Sequence, residues 1–442
     1  MSGWRDRRES GAGDTIFALS TPPGRSAVAV IRLSGPRAGE AVTILAGRRP
    51  QPRQAMFSRL REPGTGERLD EGIVLWFPAP ASFTGEDCAE IQIHGSIAGI
   101  AAVLRTLASL DNLREARPGE FTERALANGK LDLNRVEALA DLIDAQTDAQ
   151  RRLALRAADE GPAKLAEVWR DAILDFLAEI ESRLDFSDEG DVDLLQNEAL
   201  GDRIKGLAET VDSAIAGSER AGRIRQGFVV ALCGPPNSGK STLLNALVGR
   251  EQAIVSPHAG TTRDTIEVVL DLRGLLVTIV DTAGIRDTAD PIEAIGVERA
   301  RRAARQADFT IWLDAPDARA EPDLPVDLRI GSKADMDAVP EGSLAISAAT
   351  GINLDRLVDL IAERAAGDAR DEGLGTLRER HVAFAQSVVR DLTDAVTDVR
   401  GDRLELAAAH LRGALASIEG LGSKSADEDV LDRIFGRFCI GK

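Results

Sequence analysis

Residues 234–241 read Gly-Pro-Pro-Asn-Ser-Gly-Lys-Ser, and no other stretch restricts the fold of this chain so tightly. They follow Phe228–Cys233, a wholly apolar run suited to a buried central strand, and precede Thr242–Val248, a run of helix formers. A glycine-rich loop between a strand and a helix is a phosphate cradle. Its glycines let backbone amides turn inward around phosphate oxygens, and the helix N-terminus adds partial positive charge. Lys240 is then placed to bridge β- and γ-phosphates, and the Ser241 hydroxyl to hold magnesium. Asn237, Ser238, Gly239 and Thr242 complete the loop residues expected to touch the ligand. Strand–helix alternation continues to about Ala365, which implies a parallel sheet with flanking helices.

The order of motifs downstream selects the nucleotide. Gly260-Thr261-Thr262-Arg263-Asp264 precedes a strand pair, Ile266–Leu272 and Leu275–Val280, joined at Arg273-Gly274. Thr261 and Thr262 are candidates to touch the ligand, and Thr262 can complete the magnesium shell. In Asp281-Thr282-Ala283-Gly284, Asp281 is expected to reach magnesium through water, and the Gly284 amide to bond the γ-phosphate. Ser332-Lys333-Ala334-Asp335 follows a further strand, Asp327–Ile330. The Asp335 carboxylate can accept from both donors on the guanine edge; adenine lacks that pair, a mismatch that costs about 1–3 kcal/mol when buried. Ser347-Ala348-Ala349 ends the last strand, where backbone amides suit the guanine carbonyl. Two departures stand out. Ser332 replaces the usual Asn and is expected to tether the phosphate loop less well. Ala315–Pro325 is short and Pro-rich, where such domains usually place a helix.

The chain has 442 residues, room for roughly three domains. The first part, to about residue 120, reads as mixed α+β, with strands at Ala27–Ser34, Gly72–Phe77 and Cys88–His94 and a helix at Ile97–Leu110. Alternation in Cys88–His94 puts Glu90, Gln92 and His94 on one strand face. Helices dominate from Glu120 to about Gly217. Pro118-Gly119 opens a short helix that Gly129 stops, and a long helix is expected over 134–160. Another follows, with Leu165, Val168, Trp169, Ala172, Ile173, Phe176 and Ile180 on one stripe. The tail from Thr376 to Phe438 is helical again. The expected architecture is therefore multidomain: an α+β N-terminal domain (1–120), a discontinuous all-α helical domain (121–222 and 368–442), and an inserted α/β P-loop GTPase domain (223–367). The alternative is two unrelated helical domains; against it, neither half is large enough for a good core alone.

Composition removes several classes. No apolar run approaches the ~18 residues of a membrane span, and nothing reads as a signal peptide. Cys88, Cys233 and Cys439 lack metal-type spacing, which points to a reducing cytoplasm, with Cys233 in the core. A net charge of −18 argues against coating nucleic acid by bulk electrostatics. The arginines of 151–156 and 299–305 read most simply as solvated helix faces.

Segments outside the α/β block carry a resemblance. They are Asp14-Thr15-Ile16, Thr21-Pro22-Pro23-Gly24-Arg25, Ser82-Phe83-Thr84-Gly85-Glu86-Asp87, Ala116-Arg117-Pro118-Gly119-Glu120-Phe121, Gly129-Lys130-Leu131-Asp132-Leu133, and the terminal Arg437-Phe438-Cys439-Ile440-Gly441-Lys442. Together with the nucleotide motifs, the chain resembles the tRNA modification GTPase family MnmE (TrmE) over nearly its whole length. The resemblance implies an N-terminal domain that binds a tetrahydrofolate, in a 5-formyl or methylene form, and makes the homodimer. It implies an FAD-dependent MnmG-type partner in a heterotetramer, and modification of carbon five of the wobble uridine of certain tRNAs with aminomethyl or carboxymethylaminomethyl groups. Arg32, Glu90, Lys130 and Lys442 match the folate positions. Asn237, Ser256, His258 and Thr261 match the ligands of a potassium ion, Ser256 and Thr261 also lying near the nucleotide; Glu293 matches the catalytic glutamate. Cys439 lies in the terminal motif as a candidate nucleophile near the uridine chemistry. The alternative is a ribosome-assembly GTPase acting as an RNA-binding switch, a class that usually carries a basic module.

Overall fold

The structure is a computed structural model and describes residues 13–185, 194–250, 252–253, 266–281, 305–317, 321–322, 324–366, 375–422, 431, 434–436, 438 and 441. The chain divides into two compact units, residues 1–140 with 423–442, and residues 141–422.

The first unit is built on six strands: β1 (Thr15–Leu19), β2 (Ser26–Ser34), β3 (Met56–Arg61), β4 (Arg68–Phe77), β5 (Cys88–Gly95) and β6 (Leu113–Glu115), in the order β3-β4-β5-β2-β1-β6. Among the described residues the β1–β6 pair is parallel and the other strand pairs of this sheet are antiparallel. Helices α1 (Ala38–Ala46) and α2 (Ile97–Ala108) cover one face, where Val42, Leu45, Val103 and Leu107 pack on Phe17, Ile31, Leu33, Ile91 and Ile93. The other face carries Glu90, Gln92 and His94, the side the alternation assigns them, because Ala89, Ile91 and Ile93 are buried. Helix α3 (Glu120–Ala127) starts at Gly119, whose φ of 72° and contact with the Phe435 backbone exclude a side chain.

The expected single helix over 134–160 is two, α4 (Leu133–Asp144) and α5 (Asp148–Asp159). Thr147 caps α5 in a full capping box with Gln150, which offers the chain a better end than continued helix. Next come α6 (Pro162–Asp185) and α7 (Leu194–Gln226). On α6, Trp169, Ile173, Phe176 and Ile180 are buried, but Val168 is 60% exposed; it lies one residue off the i, i+4, i+7, i+11 stripe.

Strand β7 (Phe228–Cys233) then opens an α/β block containing α8 (Lys240–Arg250), β8 (Gln252–Ala253), β9 (Ile266–Leu272), β10 (Leu275–Asp281), β11 (Phe309–Asp314), β12 (Leu328–Gly331), β13 (Leu344–Ala345) and α9 (Leu354–Ala366). Its sheet runs β13-β12-β11-β7-β10-β9-β8. Among the described residues no helix separates β11 from β12, as the Pro-rich segment leads one to expect. Helices α10 (Glu379–Arg400) and α11 (Leu404–Gly422) follow. Val388, Leu392, Leu411 and Ile418 of this tail share one core with Trp169, Ile173, Ile204 and Val211, while the α/β block keeps its own core around Val230, Leu232, Leu244, Ile279 and Ile311. Helices α6, α7, α10 and α11 are thus one body interrupted by the α/β insertion, while residues 121–140 and 423–442, expected in the helical domain, fall in the first unit. No helix among the described residues is long and apolar enough to cross a membrane.

Candidate functional site

Strand β7 lies between β10 and β11, parallel to both, and the loop 234–239 leaves its C-terminal end, the edge at which open α/β sheets bind ligands. The loop turns through left-handed backbone at Asn237 (φ 60°) and at Gly239 (φ 98°). A Cβ on Gly234 would stand 2.4 Å from the Leu313 carbonyl oxygen, so the loop passes β11 too closely for any side chain. Lys240 is buried, and its Nζ donates to the carbonyls of Gly234 and Pro235, each at 2.8 Å. Burial lowers the pKa of this ammonium, opposed by the charge of Asp281.

Asp281 pairs in register with Leu232, which sets it beside the start of α8. It is fully buried, and Ser241 Oγ donates to its Oδ2 at 3.1 Å. A hydroxyl and a carboxylate oxygen at the mouth of the loop are the hard donors that magnesium takes. Thr242 is exposed one residue further along.

Ser332 reaches the phosphate loop despite its short side chain. Its Oγ donates to the Ser238 carbonyl at 2.6 Å. The Ser332 amide is held by the Asp314 carbonyl at 2.7 Å, and Gly239 has no side chain to keep the hydroxyl away, so a short residue spans the gap. Lys333, at φ 58°, donates to both carboxylate oxygens of Asp317, at 2.7 and 2.9 Å. Asp335 is exposed on the same loop. Ser347 lies just beyond β13 and is fully buried. Its amide donates to the Ile352 carbonyl at 3.1 Å, so of the three amides expected to face a base this one already has a partner. Cys233 is buried against Ala231 and Trp312, a core position as read. Thr261, Thr262, Thr282, Ala283, Gly284, Ser256, His258, Glu293, Cys439 and Lys442 lie outside the described residues.

In the first unit, a cavity of about 360 Å³ brings together Arg32, Glu90 and Lys130 from three separate segments. Arg32 and Glu90 face each other across β2 and β5 and pair at 3.0 Å. The Arg32 guanidinium stands 5.4 Å from the Phe83 ring centroid, and Lys130 Nζ donates to the Pro80 carbonyl at 2.9 Å. Arg53, stacked 5.6 Å from the Phe77 ring, also lines the cavity. No pattern in the sequence marks Arg53, and Phe83 lies within the Ser82–Asp87 segment that carries the resemblance. Cations, one carboxylate and aromatic faces suit a flat heteroaromatic ring with a donor edge and an anionic tail.

A buried ion cluster lies in the same unit. Arg114 and Arg124 each reach Asp14 at 2.6 Å, and both reach Glu120, which is 3% exposed. Burial works to raise the Glu120 pKa, but the Arg114 hydrogen bond, the Arg117 amide and the positive charges of Arg114 and Arg117 outweigh it, and the carboxyl falls to about 2.

Known proteins agree with this picture along the chain. Residues 15–130 match the family described as GTP-binding protein TrmE N-terminus, and residues 133–439 match the MnmE helical domain. The tRNA modification GTPase MnmE of Methylobacterium sp. is 48% identical over 437 residues, covering 97% of this chain and all of that protein. Its counterpart in Methylorubrum populi is 47% identical over 436 residues, covering 97% and 98%. That of Ruegeria pomeroyi is 47% identical over 436 residues, covering 97% and 100%. With a phosphate loop, a Ser241–Asp281 pair and two family domains in one continuous match, the chain belongs to the tRNA modification GTPase family MnmE (TrmE).

Proposed function

We propose that the chain hydrolyses GTP to drive modification of carbon five of the wobble uridine of certain tRNAs, with a tetrahydrofolate derivative supplying the one-carbon unit and an FAD-dependent MnmG-type protein as partner. GTP lies in the 234–241 loop, with Lys240 on the phosphates, Ser241 and Thr262 on magnesium, Asp281 behind them, and Asp335 with the Ala348 and Ala349 amides on the base. Asn237, Ser256, His258 and Thr261 hold potassium, and Glu293 orients the attacking water. The protein works as a cytoplasmic homodimer.

The observation that carries this reading beyond GTP hydrolysis is the cavity. Arg32, Glu90 and Lys130 line about 360 Å³ of space in a chain that also holds a phosphate loop. The cavity supplies what a folate needs: Glu90 can accept from the pterin donor edge, Phe83 offers a face, and Lys130 and Arg53 meet carboxylates. When bound, the folate would bring the carbon unit; the protein orients it. Calorimetry of the full chain with 5-formyltetrahydrofolate tests this. Lys130→Ala is expected to weaken binding about 10- to 100-fold, the loss of one charge-assisted hydrogen bond, with GTP hydrolysis nearly intact. Binding unchanged in Lys130→Ala removes that residue from the site, and no binding by the wild type removes the folate.

A further inference from the structure

The chain enters the α/β block through Arg225, Gln226 and Gly227 and returns through Gly375–Arg378. Both connections converge on one carboxylate oxygen. Arg225 Nε donates to Asp141 Oδ2 at 2.9 Å, and Arg378 Nη2 donates to the same atom at 2.7 Å. All three side chains are mostly buried.

The surrounding turn grips the same two points through other atoms. The Arg225 carbonyl accepts from Gln150 Nε2 at 3.2 Å, and Gln150 Oε1 accepts from the Gln146 and Thr147 amides in the turn between α4 and α5. On the returning side, Thr376 Oγ1 donates to the Glu160 carbonyl at 3.0 Å, and Leu377 is fully buried. A Cβ on Gly375 would stand 2.6 Å from the Ala214 carbonyl oxygen, so that segment is seated against α7. Residues 141–160 therefore hold both roots of the insertion. Between this grip and the phosphate loop lie only Gln226, Gly227 (φ 81°) and β7.

We propose that Asp141 is a positioning residue that carries the nucleotide state of the phosphate loop into the α4–α5 turn; this rests on the GTPase reading of the loop and on no other part of the proposed function. A displacement of β7 reaches Arg225 through two residues. Because Asp141 Oδ2 also holds Arg378, the incoming and outgoing connections move as one with the turn. The carboxylate touches neither nucleotide nor reacting atoms. Its role is to make the turn respond.

Amide hydrogen exchange of the full chain, bound to GDP or to a non-hydrolysable GTP analogue, tests the proposal. In the wild type, amides of 141–150 are expected to exchange about fivefold or more differently between the two states, because local opening follows the bonds that hold the turn. Asp141→Asn is expected to shrink that difference to within about twofold while leaving nucleotide affinity and hydrolysis within about twofold, and Asp141→Glu to restore it. Arg378→Gln keeps the Arg225 bond and serves if Asp141→Asn does not accumulate; the same loss is expected. A difference that survives in both variants, no difference in the wild type with nucleotide bound, or hydrolysis falling in parallel with the difference overturns the proposal. Failure to bind either nucleotide overturns the GTPase reading itself.

Discussion

Asp335 and Ser332 stand three residues apart on one loop, and the proposed function gives them separate roles. Ser332 holds the phosphate loop by a 2.6 Å bond to Ser238, while Asp335 stays exposed with its carboxylate available to a base. Changing Asp335 to Asn swaps acceptors for a mixed donor–acceptor edge. We expect GTP affinity to fall about 10- to 100-fold and xanthosine triphosphate to be favoured; equal binding of ATP and GTP by the wild type would exclude guanine reading. The Asp335 motif stands in the sequence because its spacing from the loop is a sequence property, and its role is what the nucleotide comparison tests. The Ser332 tether was not legible there, because whether a short side chain reaches depends on the β11–β12 register and on the bare Gly239 beside it. Glu120 shows the same limit: Glu120 stood inside a quoted motif, but only the fold brings Arg114 and Arg124 around it.

Helix ends decide much of the element-scale structure. Thr147 and Gln150 form a capping box that splits the expected long helix, and the Thr-x-x-Gln signature was present in the sequence; helical periodicity running through it concealed the break. Thr147→Ala is expected to cost about 1 kcal/mol, read as a lower thermal midpoint. At the start of α10, His381 is buried, and its Nδ1 accepts from the Arg378 amide. Burial and then the neighbouring charges of Arg380, Arg378 and Arg225 push its pKa down to about 3 from an ordinary 6.5. A depressed folded-state value means stability is full above the unfolded pKa and is lost as pH falls toward the folded one. The thermal midpoint should therefore decline from about pH 6.5 toward pH 3. In His381→Gln, which keeps the capping acceptor without a titrating ring, the decline over this window should flatten. An identical pH profile in that variant would assign the decline to other groups. Val168 marks where stripe reading fails: one residue of rotation separates core from solvent.

Across the whole molecule, the insertion was readable because strand–helix alternation is bounded on both sides by purely helical periodicity, and the shared core of α6, α7, α10 and α11 bears it out. The clamp on Asp141 was unreadable, since its partners sit far apart in sequence on either side of the α/β block. The hydrolytic step gives a prediction at this scale. Ile285 stands where Ras-type enzymes carry a water-orienting Gln, so charge and water alignment must come from elsewhere. Potassium, and not sodium, is expected to stimulate turnover, and Asn237→Ala to abolish the stimulation. Glu293→Ala should slow hydrolysis about 10²- to 10⁴-fold with nucleotide affinity almost unchanged. Equal rates in the two salts would exclude the ion, and a fully active Glu293→Ala would exclude the glutamate. The central claim, that GTP turnover here serves tRNA uridine modification, is tested most directly by mass spectrometry of tRNA nucleosides from a strain lacking the gene. The carbon-five-modified wobble uridines should disappear, return with the wild-type gene, and stay absent with Lys240→Ala. An unchanged nucleoside profile in the deletion strain would contradict the account.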